Sequence, residues 1–226
     1  DIDNPPKVIV VASSVPGEGK STTTLNVAIA FAQAGQKVAL IEGDLRKPRL
    51  AQYLGLDNEV GLTNVLAGQV PLEDAVISWN RGLLHVLASG PIPPNPSELL
   101  GSQHMKALIE RLREEYDYVL IDGTPLLLVS DAAVLATATD GVLLMSRFGF
   151  TTHEQLKRAV GTLEAVGARL LGPVVNFVPQ SDSGYGYGYG YGYGYGYGYG
   201  YGYGDKDAKV VDLAAEATTS PESDQT

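Results

Sequence analysis

The sequence predicts a doubly wound α/β domain, a mostly parallel sheet with helices on both faces, followed by a disordered C-terminal tail. Three observations carry that expectation. Strand-like apolar runs alternate with helical patterns, which implies right-handed crossovers between parallel strands. The first runs are continuously apolar, as expected of strands covered on both sides. Directly behind the first run stands a Gly-rich turn that finishes in Lys-Ser-Thr and opens a helix.

The first run, Val8-Ile9-Val10-Val11-Ala12, reads as a buried parallel strand, and Lys20 to Ala34 reads as the helix behind it. Between them lies Ser14-Val15-Pro16-Gly17-Glu18-Gly19-Lys20-Ser21-Thr22. Such a turn aims successive backbone N–H groups at one point before a helix N-terminus, where unpaired amides and the macrodipole favour an anion. Gly17 and Gly19 let the backbone approach closely, Lys20 reaches the β- and γ-phosphates, and the Ser21 hydroxyl is placed for Mg2+. The expected nucleotide site therefore comprises Gly17, Glu18, Gly19, Lys20, Ser21 and Thr22, with Mg2+ beside the phosphates. Ser14 stands where the G-x-x-x-x-G-K-[ST] pattern has its first Gly, so the flanking strand and helix supply the confirming context for a P-loop NTPase fold.

Further strands are expected at Val38 to Glu42, Leu83 to Ser89, Tyr118 to Asp122, Val142 to Arg147 and Leu171 to Asn176. Ligands of parallel α/β sheets bind beyond the carboxyl ends of the strands. Glu42 and Asp44, within Glu42-Gly43-Asp44-Leu45-Arg46, stand at one such end and Asp122 at another, in the manner of a Walker B strand. Metal binding is expected of Ser21, Asp44 and Asp122. The plainer alternatives are a solvated turn for Glu42 and Asp44 and a capping carboxylate for Asp122. Asn176, at the end of the last run, is expected to contact the nucleotide as in related folds.

Helical spacing of Leu108, Leu112 and Tyr116 predicts a helix from Ser102 to Tyr116. Thr151 with Glu154 suggests a capping box for a helix ending near Val166, with Gly167 as its C-terminal cap. Gly90 to Ser97, which carries four prolines, predicts a loop near a functional rim. His85, His104 and His153 show no ligand spacing, and Trp79 reads as a packing residue.

The chain has 226 residues, enough for one domain spanning 1–180 and a tail spanning 181–226. Its net charge of −10 argues against a nucleic-acid surface. With no cysteine, a disulfide framework and thiolate metal sites are excluded. No apolar stretch reaches the roughly 18 residues needed to span a bilayer, and no signal peptide opens the chain, so a soluble unit is expected. The tail begins with ten strict Tyr-Gly repeats, at Tyr185, Tyr187, Tyr189, Tyr191, Tyr193, Tyr195, Tyr197, Tyr199, Tyr201 and Tyr203. Gly at every second position loses much entropy on ordering and gives nothing to pack, hence the expectation of disorder. The alternative for the repeat is a low-complexity tether with no acceptor role.

Jointly, the boxes from Ser14 to Thr22, Val38 to Arg46 and Val119 to Asp122, with Ser130-Asp131-Ala132 and the tyrosine cluster, resemble the bacterial tyrosine kinases of the capsular and exopolysaccharide type. The resemblance covers Lys7 to Pro179 and the tail. It implies ATP-dependent autophosphorylation of the ten tail tyrosines, with Lys20, Glu42, Asp44 and Asp122 as catalytic residues and Glu42 as acceptor of the phenol proton. It also implies homo-oligomers with phosphorylation in trans, and a membrane-anchored activator or an upstream transmembrane region. The expected location is the cytoplasmic face of the cell membrane. Full modification would add roughly 15 to 20 negative charges, which suggests a switch that releases assembled subunits. Two departures stand out: Glu42 replaces the family's Asp, and Gly123-Thr124-Pro125 replaces Thr-Pro-Pro. The upstream E-x-x-R-x-x-R helix is missing, so the chain reads as an excised catalytic domain.

Two other classes stay open. A positioning ATPase of the MinD and ParA type would carry Lys and Gly where Val15 and Pro16 stand. A docking module would bind nucleotide without transferring phosphate.

Overall fold

The computed structural model describes residues 5–79 and 82–179. The Tyr-Gly repeat and the acidic end lie outside the described residues. Seven strands form one sheet in the order β3-β4-β2-β5-β1-β6-β7. Six of them are parallel: β1 (Val8–Ser13), β2 (Val38–Glu42), β4 (Leu84–Leu87), β5 (Tyr118–Pro125), β6 (Gly141–Arg147) and β7 (Leu170–Asn176). All six expected strands are present. The seventh, β3 (Ile77–Trp79), pairs antiparallel with β4 at the edge of the sheet. Trp79 belongs to this edge strand, which is too short to show a period of its own.

Helix α1 (Lys20–Gln33) follows β1 through the Gly-rich turn. Its buried Leu25, Ala28 and Ala32 cover one face of the sheet, and α1 contacts β1, β2, β4 and β5. The other face carries the larger apolar cluster, in which Val8, Val10, Ile41 and Ile121 meet Met105, Ile109 and Leu112 of α6 (Gln103–Glu115). The small α7 (Asp131–Ala136) and α8 (His153–Ala165) complete that layer. Period-two alternation along β1, β2 and β5 explains the division, since successive side chains of a strand point to opposite faces.

The connection from β2 to β4 is longer and holds three short helices, α2 (Leu50–Leu54), α3 (Leu62–Leu66) and α4 (Leu72–Ala75), which no helical period in the sequence announces. The proline-rich loop after β4 is shorter than expected, because Pro96 opens α5 (Pro96–Leu100). A proline is suited to the first turn of a helix, where its missing N–H leaves no bond unmade. Helix α6 begins after Ser102, whose side chain accepts a hydrogen bond from the Met105 N–H at 3.2 Å.

The capping box of α8 lies one residue later than expected. Thr152, not Thr151, accepts from the Gln155 N–H at 3.2 Å, and the Gln155 side chain answers the Thr152 N–H at 2.9 Å. Thr151 is occupied elsewhere: its hydroxyl accepts from the Arg147 N–H at 2.7 Å and donates to Glu18. No helix among the described residues is long and apolar enough to cross a membrane.

Candidate active site

The Gly-rich turn, the carboxyl ends of β2 and β5, and the end of β7 surround one cavity of about 630 Å³. Gly17, Gly19, Lys20, Ser21, Thr22 and Asp44 line it. Four other expected site residues, Glu18, Glu42, Asp122 and Asn176, are absent from its lining. Each stands behind a residue that does line it.

The strand that the sequence ends at Asp122 runs on to Pro125, so Asp122 is fully buried within β5, and its Oδ1 accepts from the Lys20 ammonium at 2.7 Å. The same ammonium lies 3.1 Å from Ser21 Oγ. Thr24, one turn along α1, adds a hydrogen bond at 3.3 Å to Asp122 Oδ1. Asp122 Oδ2 has no partner among the described residues although it is buried. A cation thus already bridges the Ser21 hydroxyl and the Asp122 carboxylate. An unpartnered carboxylate oxygen beside a hydroxyl forms a hard oxygen donor set, the kind Mg2+ takes together with phosphates and water. Among the described residues no cluster of three His, Cys, Asp or Glu side chains could hold a metal.

Glu42 is in register with Asp122 across β2 and β5 and is almost completely buried. Its Oε2 accepts from the Arg49 and Leu50 N–H groups at 2.7 and 2.9 Å, and its Oε1 from the Asp44 N–H at 3.2 Å. The extra methylene relative to Asp carries this carboxylate to the start of α2, where it satisfies amides that a helix N-terminus leaves open. Burial, with the Asp122 charge adding, pushes the Glu42 carboxyl from 4.5 up to about 8. Burial also raises the Asp122 carboxyl, opposed by the Lys20 ammonium. Asp44 holds the opposite position to Glu42: its Oδ1 accepts from the Arg46 and Lys47 N–H groups at 3.2 and 3.0 Å, and its side chain faces the cavity.

Glu18 serves the turn from within. Its Oε2 accepts from the Ser14 and Val15 N–H groups at 2.7 and 3.1 Å, and its Oε1 takes the Thr151 hydroxyl proton. A carboxylate beneath the loop holds it in shape from the side opposite the cavity. Arg147 reaches the Gly17 carbonyl at 3.3 Å, with its guanidinium between the Phe150 and Phe177 rings. Asn176 donates to the Glu18 carbonyl at 3.3 Å. Gly19 has φ +85°, a conformation that favours glycine, and a Cβ there would also push aside the Asn176 side-chain amide. Phe177, at φ 57°, is the only described non-glycine residue with positive φ, and it lines the cavity beside this contact.

On the opposite wall, Arg46 makes two bonds to the buried Asp131, Nε to Oδ2 at 2.7 Å and Nη2 to Oδ1 at 3.2 Å. Ser97 also donates to Asp131. Lys47, Arg49 and Tyr53 line the same cavity. Sequence reasoning missed Thr24, Thr151, Arg147 and Tyr53. Thr24 was within reach of it, since i and i+4 on a helix share a face and Lys20 is four residues back. The others come from segments that only the tertiary fold brings here. The ten tail tyrosines lie outside the described residues.

A family profile described as an AAA domain matches residues 6–171. The tyrosine-protein kinase YwqD of Bacillus subtilis is 45% identical over 175 residues, covering 77% of this chain and 74% of that protein. Among solved structures, the kinase domain of the Escherichia coli tyrosine kinase ETK superposes with a TM-score of 0.75 at 34% identity, covering 81% of this chain and 72% of that one. The septum site-determining protein MinD of Pyrococcus horikoshii, complexed with Mg-ADP, gives 0.63 at 26% identity over 75% of this chain and 69% of its own. Nucleotide binding fits both likenesses, and the stronger one decides between them: the chain belongs to the bacterial tyrosine-protein kinases.

Proposed function

We propose that the chain transfers the γ-phosphoryl group of ATP to tyrosine, and that the tail tyrosines from Tyr185 to Tyr203 are its acceptors. In each turnover the phenolic oxygen forms a bond to the γ-phosphorus and the bond from that phosphorus to the bridging oxygen breaks. ADP leaves with the electron pair. The amides from Gly17 to Thr22 and the Lys20 ammonium hold the phosphates, since charge stabilisation and positioning carry most of phosphoryl transfer. Ser21 and Asp122 are the residues that would hold Mg2+, which when bound neutralises charge on the phosphate oxygens.

A phenol of pKa near 10 is protonated at neutral pH, so its proton needs an acceptor. Asp44, the carboxylate that faces the cavity, is assigned that task in this proposal. Glu42 positions the turn that carries Asp44 instead of meeting the phenol itself. By resemblance to its family, the activity regulates capsule or exopolysaccharide synthesis, in homo-oligomers with a membrane-anchored activator at the cytoplasmic face of the membrane.

The observation that carries the reading is the Lys20–Ser21–Asp122 constellation opening on the same cavity as Asp44. Intact-mass spectrometry after incubation with ATP and Mg2+ tests it. Stepwise phosphate additions removable by a tyrosine phosphatase are expected, and an unchanged mass in protein that hydrolyses or binds ATP would reject it.

A further inference from the structure

We propose that Lys47 and Arg49 form a reading site for a phosphotyrosine two residues away from the acceptor, so that each phosphate placed on the Tyr-Gly repeat promotes transfer to the next phenol. The inference rests on the kinase reading above and specifies its substrate: a tyrosine with an anionic side chain at the second residue along the chain.

The cations on this wall differ in their commitments. Arg46, Lys47 and Arg49 all line the cavity that Lys20, Ser21 and Asp44 line. Arg46 is answered by the two oxygens of the buried Asp131. Lys47 and Arg49 are exposed, and neither has a carboxylate within ion-pairing distance among the described residues. Arg49 gives one N–H to Gln52 Oε1 at 3.1 Å, and the Lys47 ammonium donates to nothing among the described residues. Two uncommitted cations beside a transfer site, in a chain of net charge −10, call for an anionic ligand.

Their backbone is anchored although their side chains are not. The Lys47 N–H is held by Asp44 at 3.0 Å and the Arg49 N–H by Glu42 at 2.7 Å. The two side chains therefore leave from fixed points on the backbone close to the acids of the site, with their charged ends free to reach a ligand. Pro48 between them restricts Lys47 to extended backbone.

The repeat has a matching spacing. In extended chain, residues i and i+2 project on the same side about 6.6 Å apart, so a tyrosine at every second position offers a neighbour at constant reach. An unmodified phenol gives Lys47 and Arg49 nothing to pair with. A phosphotyrosine brings about −1.5 to −2 charges and three acceptor oxygens. Near the triphosphate it is repelled unless cations receive it, and charge-assisted bonds to ammonium and guanidinium groups do so. The first turnover thus converts a neutral ligand into one that this wall binds. The bound phosphate is not consumed. In the next transfer the adjacent phenolic oxygen bonds to the γ-phosphorus of a fresh ATP, ADP leaves with the electron pair of the broken bond, and the phenol proton passes to Asp44 and then to water.

The test has two arms. Short Tyr-Gly peptides are compared with the same peptides carrying one phosphotyrosine two residues from a free tyrosine, with ATP and Mg2+. KM for the primed peptide is expected to be about tenfold lower in the parent protein, and the preference to shrink to within about twofold in a K47A/R49A double variant. In the second arm, intact masses of the full chain early in the reaction should separate into unmodified and heavily modified populations, and the double variant should give a single statistical spread. A parent protein that treats both peptides alike overturns the proposal, whatever the variant does. A preference that survives the double substitution overturns the assignment to Lys47 and Arg49. Failure of the kinase reading looks different, since then neither peptide nor the chain gains phosphate.

Discussion

The two walls of the cavity are built on different principles. On the side of the Gly-rich turn the loop is held from behind by Glu18, Thr151, Arg147 and Asn176, residues drawn from the turn itself and from the ends of β6 and β7. On the side of β2 and α2 the backbone is tied, by Glu42 and Asp44, while Lys47 and Arg49 extend free side chains. A wall fixed in advance suits a ligand of constant shape, the triphosphate, because its donors need no reorganisation at the moment of reaction. Free cations on a fixed backbone suit a ligand whose charge changes from one turnover to the next.

The contrast breaks most completely at Lys20. Lys20→Met removes the one side-chain cation of the turn, and phosphate incorporation should fall at least about a hundredfold, as read by intact-mass spectrometry. Glu18→Ala attacks the same wall from behind. It leaves the buried Ser14 amide and the half-buried Val15 amide unpaired, so unfolding free energy should drop by about 2–4 kcal/mol in denaturant titration. A drop no larger than that of an exposed substitution would show that the loop does not depend on its internal acid.

Asp131→Asn tests the opposite wall. With its charge partner gone, Arg46 is no longer held, and kcat/KM should fall about tenfold, with a much smaller change in melting temperature than Glu18→Ala produces. A further test of this wall comes from pH. Because the Glu42 carboxyl is raised from 4.5 to about 8, the stability tied to its protonated form is complete below about 4.5 and is lost as pH rises through about 8. Glu42→Gln cannot ionise, so its stability should stay flatter across that interval in parallel thermal melts.

Much of this was legible in the sequence. The apolar runs predict all six parallel strands, because burial on both faces imposes a local pattern, and the turn before Lys20 lies on the cavity. Three kinds of feature were not legible. Helices α2 to α4 have four or five residues each, too few to display a period. The α8 cap falls one residue later because the Thr151 hydroxyl is engaged by the Arg147 N–H four residues back and by Glu18, which is distant in sequence. The division of labour between Glu42 and Asp44 depends on side-chain direction: both carboxylates stand at the end of β2, yet one turns inward to the start of α2 and the other outward to the cavity.

The resting place of the Lys20 ammonium, between Ser21 and Asp122, has a last consequence. That pairing gives the buried Asp122 carboxylate a counter-ion of its own, supplied on a flexible tether from the first residue of α1. Any second cation that is to join Ser21 and Asp122 must share them with that ammonium or displace it, so the charge balance at this point couples whatever binds there to the position of one lysine.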